Sequence, residues 1–275
     1  MKAWITKDIA PMKAEPKRSS SLADEALFGM PIEVLEAVGG DWYRIRTYYG
    51  YEGYVRRKHF LTEDLCAKKW LESKKRMVIK AYADVLSEPR VQGSLLQGLP
   101  RGSQVAILEE EAEDTRWQKA VLPDGTEGWT RKENLIEVPD GSIKDDESLC
   151  RDKLVEMAQL YMGSQYRWGG KTARGLDCSG LCSMACLLLG ITIYRDADIK
   201  EGFPIREIAK DKIQKGDLLF FPGHVAMYIE DGRYIHSSSG NNGVAYNSFD
   251  PEHQDYNEEL FKTYEKAGSL FGGDR

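Results

Sequence analysis

Cys178 has the side chain and the setting of a catalytic nucleophile. It stands in the stretch Asp177-Cys178-Ser179-Gly180, where a loop is expected to turn into a helix. A thiol at the start of a helix faces unpaired backbone N–H groups and the positive end of the helix dipole, and both favour the thiolate. A nucleophilic cysteine also needs a base within hydrogen-bond reach.

Two of the four histidines in the chain are placed to supply that base. His224 opens a predicted strand directly after Pro222-Gly223, and His236 lies on the next strand, across an Asp-Gly turn at residues 231–232. A hairpin closed at this turn draws position 236 close to residue 227, near the end of the strand pair that carries His224. We therefore predict a Cys–His–His triad in which His224 is the general base and His236 orients it.

Hydrophobic periodicity predicts the elements that hold these residues. Apolar residues recur at helical spacing over 145–162 and again over 179–189, and each run ends at a glycine. Strands are predicted at 217–221, 225–230 and 233–237. Helices followed by a strand meander are typical of an α+β domain with its helices packed on an antiparallel sheet.

The first half of the chain follows another pattern and repeats itself. Trp42 corresponds to Trp117, and the pair Gly53-Tyr54 corresponds to Gly128-Trp129. Short β-branched runs and a Pro-Asp-Gly turn at 123–125 predict strands in each copy. Because two copies of about 65 residues are too few for a solenoid, we expect two separate small β domains.

Composition excludes several classes of protein. The 275 residues include 38 Lys+Arg and 44 Asp+Glu, for a net charge of −6, which argues against a dedicated nucleic-acid binder. No run approaches the ~20 apolar residues of a membrane-spanning helix, and the charged N-terminus does not resemble a signal peptide. Five cysteines do not suit a disulfide framework. We expect a soluble, reduced, cytoplasmic protein without nucleic-acid or membrane partners, and its oligomeric state stays open.

The remaining cysteines and histidines have simpler explanations. Cys182 and Cys186 follow Cys178 at intervals of four residues, so they stack along one helix about 6 Å apart, which does not suit a tetrahedral zinc site. We expect both in the core and predict no metal. Cys66 and Cys150 are expected to be structural, and His59, after Arg56-Arg57-Lys58, is expected at the surface.

Five sequence blocks resemble, in order and spacing, those of the NlpC/P60 cysteine peptidases. They are Tyr-Arg-Trp-Gly-Gly at 166–170, Asp-Cys-Ser-Gly at 177–180, Gly-Asp-Leu-Leu-Phe-Phe at 216–221, His-Val-Ala-Met-Tyr-Ile at 224–229 and Tyr-Ile-His-Ser at 234–237. Each copy of the repeat resembles a bacterial SH3 (SH3b) domain. With the Arg-Asp-Ala element at 195–197, the chain is similar to the cytoplasmic γ-D-glutamyl-L-diamino acid endopeptidases.

The resemblance implies a multi-domain fold, with two small all-β SH3b barrels followed by an α+β, papain-like NlpC/P60 catalytic domain. The expected bounds are 1–65 for the first SH3b domain, 66–75 for a polar connector, 76–139 for the second SH3b domain and 140–275 for the peptidase.

It also implies a role for each site residue. Cys178 is the nucleophile, His224 the base and His236 the third member, and Tyr166 lines the site and assists the oxyanion beside the backbone N–H of Cys178. The residues expected to hold the substrate are Asp177, Ser179, Asp196 and Tyr51. Tyr51, together with an acidic residue for which Asp24 and Glu25 are candidates, is expected to grip a free substrate amine.

The implied activity is cleavage of the γ-D-Glu–diamino acid bond in murein peptides that carry a free N-terminal L-Ala, during cell-wall peptide recycling, without metal or cofactor. Three alternatives stay open. The first is an exported, wall-active endopeptidase whose SH3b domains bind the wall. The second is a non-catalytic murein-peptide-binding protein, and the third is an acyltransferase with the same triad. Whether the diamino acid is diaminopimelate or lysine is also open.

Overall fold

Short β-branched and aromatic runs form two seven-stranded antiparallel sheets within Met1–Val138 of the computed structural model, which describes residues 1–271. The first sheet contains β1 (Lys2–Ile5), β2 (Ile9–Lys13), β3 (Leu22–Leu27), β4 (Pro31–Gly39), β5 (Trp42–Thr47), β6 (Glu52–Arg56) and β7 (Phe60–Thr62). The second contains β8 (Lys75–Val78), β9 (Tyr82–Leu86), β10 (Leu95–Pro100), β11 (Gln104–Glu111), β12 (Trp117–Val121), β13 (Glu127–Arg131) and β14 (Leu135–Glu137).

The repeat in the sequence is a repeat of topology. The strand order is β3-β2-β6-β5-β4-β1-β7 in the first sheet and β10-β9-β13-β12-β11-β8-β14 in the second. Each strand of the second sheet therefore occupies the same place in its sheet as the strand numbered seven lower does in the first sheet.

The two sheets share an apolar core, although the sequence suggests two separate domains. Helix α1 (Lys68–Glu72), in the expected polar connector, carries Trp70, which is fully buried and meets Phe28 edge to face at 6.1 Å between ring centroids. Both rings belong to one cluster with Val85 and Leu99 of the second sheet. Because a buried aromatic ring removes a large apolar area from water, the two aromatic residues join the sheets into one unit.

His59 is buried, and the expectation of a surface position was wrong. Its side chain is 5% exposed, in a 3-10 turn that joins β6 to β7. The carbonyl of His59 accepts a hydrogen bond from the N–H of Thr6 at 2.9 Å, so this turn closes onto the link between β1 and β2. Burial, followed by the charges of Lys7 and Lys58, lowers the pKa of His59 to about 4.

The second unit begins at Pro139 and combines helices with a six-stranded antiparallel sheet. Its elements are α2 (Glu147–Gln159), β15 (Lys171–Thr172), β16 (Gly175–Leu176), α3 (Cys178–Leu187), β17 (Arg206–Ile208), β18 (Leu218–Phe221), β19 (His224–Glu230), β20 (Arg233–Ser238), β21 (Gly243–Ser248), α4 (Glu258–Thr263) and β22 (Lys266–Ser269). The sheet order is β17-β22-β18-β19-β20-β21, and β15 pairs with β16 apart from it.

The two predicted helices and three predicted strands of this unit are present, with ends that differ by one to three residues. Helix α3 packs against α2 and against β19 and β20. This arrangement places the start of α3 beside the start of β19. No helix among residues 1–271 is both long and apolar enough to cross a bilayer.

Candidate active site

The thiol of Cys178 lies at the first position of α3. Asp177 caps the helix, because its carboxylate accepts the N–H of Gly180 at 2.6 Å. Cys178 is 6% exposed, and its sulfur receives hydrogen bonds from the backbone N–H groups of Val225 and Ser179. Burial and then the charge of Asp177 raise the pKa of the thiol, and the two N–H groups oppose that rise. The buried thiol therefore needs a base to remove its proton.

The histidine pair lies beside this thiol, since Val225 directly follows His224. The Nε2 atom of His224 lies 2.8 Å from Nδ1 of His236, which is fully buried. Burial lowers the pKa of both imidazoles to about 4, and the neighbouring His236 is a further cause for His224. Both rings are therefore neutral near pH 7, and His224 is able to accept a proton.

A β-bulge decides that the two imidazoles meet. In the hairpin of β19 and β20, Glu230 pairs with Arg233, but Tyr228 pairs with Tyr234, so Ile229 is an extra residue. The regular hairpin expected from the sequence places residue 227 opposite position 236, whereas the observed register shifts the pairing by one. Because side chains alternate across a strand, this shift moves His236 onto the face that carries His224.

Asp177 and Ser179 are bound within the protein by Arg195. The guanidinium lies 3.1 Å from Oδ1 of Asp177 and 2.8 Å from Oγ of Ser179, and it also contacts the carbonyl of Gly170 at 3.3 Å. The Arg195 side chain is 2% exposed and that of Asp177 12% exposed. These contacts hold the loop before α3 in place, and the substrate contacts expected for Asp177 and Ser179 stay predictions.

Tyr166 is held near Cys178 by the tip of the hairpin formed by β20 and β21. Its N–H donates to the carbonyl of Asn242 at 3.2 Å, and its backbone bridges to Leu176. Burial and then the charges of Cys178 and Asp177 raise the pKa of the Tyr166 phenol. The tyrosine thus shares the surroundings of the thiol, and its expected role at the oxyanion stays a prediction.

Two asparagines extend the site, and the sequence analysis did not include them. Oδ1 of Asn247, on β21, lies 2.8 Å from Nε2 of His236, and Nδ2 of Asn241 lies 3.0 Å from the same nitrogen. An alternating pattern on β21 would indicate which face Asn247 occupies, but it does not indicate a partner. The contact depends on how β20 and β21 pair.

The other expected substrate residues belong to other elements of the chain. Asp196 is exposed and, with Tyr194 and Phe203, lines a small cavity that also borders Ser179. Tyr51 lies in the first unit, on the turn between β5 and β6. In the same unit, Asp24 is fully buried and accepts the hydroxyl of Tyr49 at 2.5 Å. The binding roles of Asp196, Tyr51 and Asp24 stay predictions.

The other thiols of α3 belong to its core. Cys182 and Cys186 are 1% and 2% exposed, and burial raises the pKa of both. Across residues 1–271, no group of three or more His, Cys, Asp or Glu side chains is arranged to hold a metal ion.

Comparison with known proteins agrees with this geometry. The NlpC/P60 family matches residues 163–263, and the bacterial SH3 domain matches residues 10–62. Dipeptidyl-peptidase 6 of Lysinibacillus sphaericus is 41% identical over 273 residues, which cover 98% of this chain and 100% of that protein. The chain belongs to the NlpC/P60 family. The expected family and fold class, with β-rich SH3b structure before a papain-like NlpC/P60 domain, are confirmed.

Other NlpC/P60 relatives extend the comparison. The gamma-D-glutamyl-L-lysine dipeptidyl-peptidase of Bacillus cereus is 29% identical over 88% of this chain and 72% of that protein. A crystal structure of an NlpC/P60 protein from Bacillus cereus superposes with a TM-score of 0.78 over 97% of this chain and 98% of that one, at 23% identity. That likeness shows a common fold, and family membership makes the present chain a cysteine peptidase.

Proposed function

We propose that this NlpC/P60 peptidase cleaves the γ-D-Glu–diamino acid bond of murein peptides through Cys178, His224 and His236. The observation that carries the proposal is the 2.8 Å contact between His224 and His236, beside a thiol at a helix start. The names of two relatives support the substrate, since one is a dipeptidyl-peptidase 6 and the other a gamma-D-glutamyl-L-lysine dipeptidyl-peptidase.

In the first half of the reaction, the sulfur of Cys178 attacks the γ-carbonyl carbon of D-Glu while its proton passes to Nδ1 of His224. The C=O bond becomes an oxyanion, which the backbone N–H of Cys178 stabilises because the first N–H groups of a helix have no intrahelical acceptor. Tyr166 is proposed to assist in stabilising this oxyanion. The C–N bond then breaks, and the diamino acid leaves with the proton from His224.

The second half of the reaction hydrolyses the thioester. His224, neutral again, takes a proton from water as the oxygen attacks the acyl carbon, and the proton returns to the Cys178 sulfur when the C–S bond breaks. His236 keeps the His224 ring in position through both halves. A triad in which one group orients the base is the general solution for activating a weak nucleophile.

The substrate is proposed to carry a free N-terminal L-Ala. A dipeptidyl-peptidase releases two residues from the amino end of a peptide, and both named relatives carry that term. Tyr51 is the proposed tyrosine for the amine, with Asp24 or Glu25 as its acidic companion. An enzyme that pairs an ammonium discriminates strongly against an acetylated peptide, because its own polar groups are then left unpaired.

We also propose that the enzyme acts in the cytoplasm on recycled murein peptides. All five cysteines are free in the structure, and free thiols are typical of reducing compartments. Fractionation of the native host followed by detection of the protein tests this proposal. Recovery from the wall or the medium would instead favour the wall-active alternative.

The experiment is digestion of L-Ala-γ-D-Glu-diaminopimelyl-D-Ala and its lysine counterpart, each with a free and with an acetylated amino end, followed by mass spectrometry. We expect L-Ala-D-Glu from the free peptides, and none of it from the Cys178→Ala variant. Cys182→Ala, one turn further along α3, is the matched control and should retain cleavage. Comparison of the two diamino acids identifies the one that is preferred.

Each remaining outcome contradicts one part of the proposal. Equal cleavage of free and acetylated peptides would remove the amine requirement and favour the wall-active alternative. Binding without cleavage would indicate a peptide-binding protein. Transfer of the dipeptide to an added amine in preference to water would indicate an acyltransferase.

A further inference from the structure

The hydrogen bonds of the histidine pair continue to an amide whose orientation is fixed by the backbone. His236 Nε2 lies 2.8 Å from Oδ1 of Asn247. Nδ2 of Asn247 donates to the main-chain carbonyl of Asp255 at 2.8 Å. Because a carbonyl oxygen only accepts hydrogen bonds, the amide nitrogen of Asn247 must face Asp255, and its oxygen must face His236.

This orientation determines which nitrogen of each imidazole carries the hydrogen. An amide oxygen only accepts, so Nε2 of His236 is the donor. In a neutral imidazole the other nitrogen is an acceptor, so Nδ1 of His236 accepts the Nε2–H of His224 across 2.8 Å. His224 is left with Nδ1 as its acceptor, and this nitrogen is the one free to take a proton from Cys178.

Asn241 contacts both atoms of this bond. Its Nδ2 lies 2.7 Å from Oδ1 of Asn247 and 3.0 Å from Nε2 of His236, and the shorter contact directs its hydrogen to the oxygen of Asn247, which then receives hydrogens from both Asn241 and His236. The opposite tautomer of His236 would place two acceptors, its bare Nε2 and Oδ1 of Asn247, 2.8 Å apart without a hydrogen between them. Such an unmade bond is costly next to a fully buried ring.

We infer that Asn247 is a positioning residue, which sets the tautomers of His236 and His224 so that His224 presents a bare Nδ1 to Cys178. The inference rests on the catalytic roles proposed above. A neutral amide fixes the tautomer without adding a charge, so both buried imidazoles stay neutral. A carboxylate in this place would instead favour their protonation.

The direct test is the protonation state of the ring nitrogens, measured by long-range ¹H–¹⁵N correlation on protein labelled at histidine. The chain has only four histidines, so the signals of His224 and His236 can be assigned with the variants His224→Gln and His236→Gln. We expect both rings as the Nε2–H tautomer near pH 7. A His236 that carries its hydrogen on Nδ1 would overturn the inference.

Kinetics of three variants supply the second readout. We expect Asn247→Ala to lower kcat by about 10–100-fold, as loss of an orienting outer partner does, with little change in KM. Asn247→Asp retains an acceptor for the Nε2–H of His236 but adds a charge that raises the pKa of the ring, so we expect a higher kcat than that of Asn247→Ala at alkaline pH and an acid limb of kcat shifted upward from that of the wild type. Tyr246→Phe is the control, because Tyr246 directly precedes Asn247 on β21 and so lies on the opposite face of the strand, where its hydroxyl accepts a hydrogen bond from the side-chain amide of Gln159 at 3.1 Å.

The outcomes separate this inference from the proposed function. If the wild type cleaves none of the peptides, the proposed function fails, and the ring signals still decide the tautomers. If Asn247→Ala folds and keeps both the wild-type ring signals and the wild-type kcat, the inference fails and the function stands. A higher KM with an unchanged kcat in Asn247→Ala would likewise contradict a positioning role.

Discussion

His224 and His236 meet across 2.8 Å only because Ile229 is an extra residue in the hairpin between them. The turn itself is regular, with Asp231 and Gly232 both at positive φ. Without the bulge, the two imidazoles would lie on opposite faces of the sheet. The site thus depends on a single irregularity of one strand, and other parts of the site should be equally sensitive to small structural changes.

Gly243 is such a part. A Cβ at this position would overlap the carbonyl oxygen of Ser164, two residues before Tyr166. We expect Gly243→Ala to push the loop away and to lower kcat/KM by at least about tenfold, since small displacements of positioned groups are costly in catalysis. Gly240→Ala, in the same hairpin tip but facing open space, is the matched control. Equal activity of the two variants in the peptide digestion would contradict this reading of the tip.

The buried pair of Arg195 and Asp177 should be important for stability. Replacing Arg195 by Met leaves a carboxylate that is 12% exposed without its cation, and breaking a buried pair typically costs about 3–5 kcal/mol. Urea unfolding of the second unit measures the loss. The double variant Arg195→Met, Asp177→Asn should recover part of it, because asparagine still caps the helix and carries no charge.

Lys153→Met is the control for the arginine variant. Lys153 pairs with Glu156 at the exposed surface of α2, where such pairs contribute about 0–1 kcal/mol. A comparable loss of stability in the two single variants would show that burial of the Arg195 pair has no special effect.

The low pKa of His224 predicts activity in mild acid. Only neutral His224 can accept the thiol proton, and burial holds its pKa near 4, below the ordinary 6.5. We expect kcat/KM to fall as pH drops through about 4, with activity largely retained at pH 5.5, provided that circular dichroism shows a folded protein at each pH. An acid limb near 6.5 would show that His224 titrates as an exposed histidine does.

His59 makes the stability of the first unit depend on pH. Its pKa is about 4 when folded and 6.5 in the unfolded chain, so below 6.5 the unfolded state binds a proton that the folded state does not. The free energy of unfolding should therefore be highest above pH 6.5 and fall toward pH 4, by at most about 1.4 kcal/mol per pH unit for this group. His59→Gln should flatten this part of the profile in urea titrations at several pH values.

The sequence by itself determined the parts of this protein that are encoded locally. Cys178 at a helix start, the strands that carry His224 and His236, and the repeat of the first half all follow from residue types at fixed spacing. Such signals persist because helix caps, turns and alternating strands depend on a few neighbouring residues. The same blocks were enough to indicate the NlpC/P60 family.

Only the tertiary structure decided which of these residues touch. The extra residue at Ile229, the amide of Asn247 behind His236, and the burial of Trp70 and His59 all depend on segments far apart in the chain. A strand pattern with period two does not reveal a one-residue bulge, because the register is selected by what each face packs against. The chemistry of the site can be read from the sequence, but the direction of its hydrogen bonds depends on that packing.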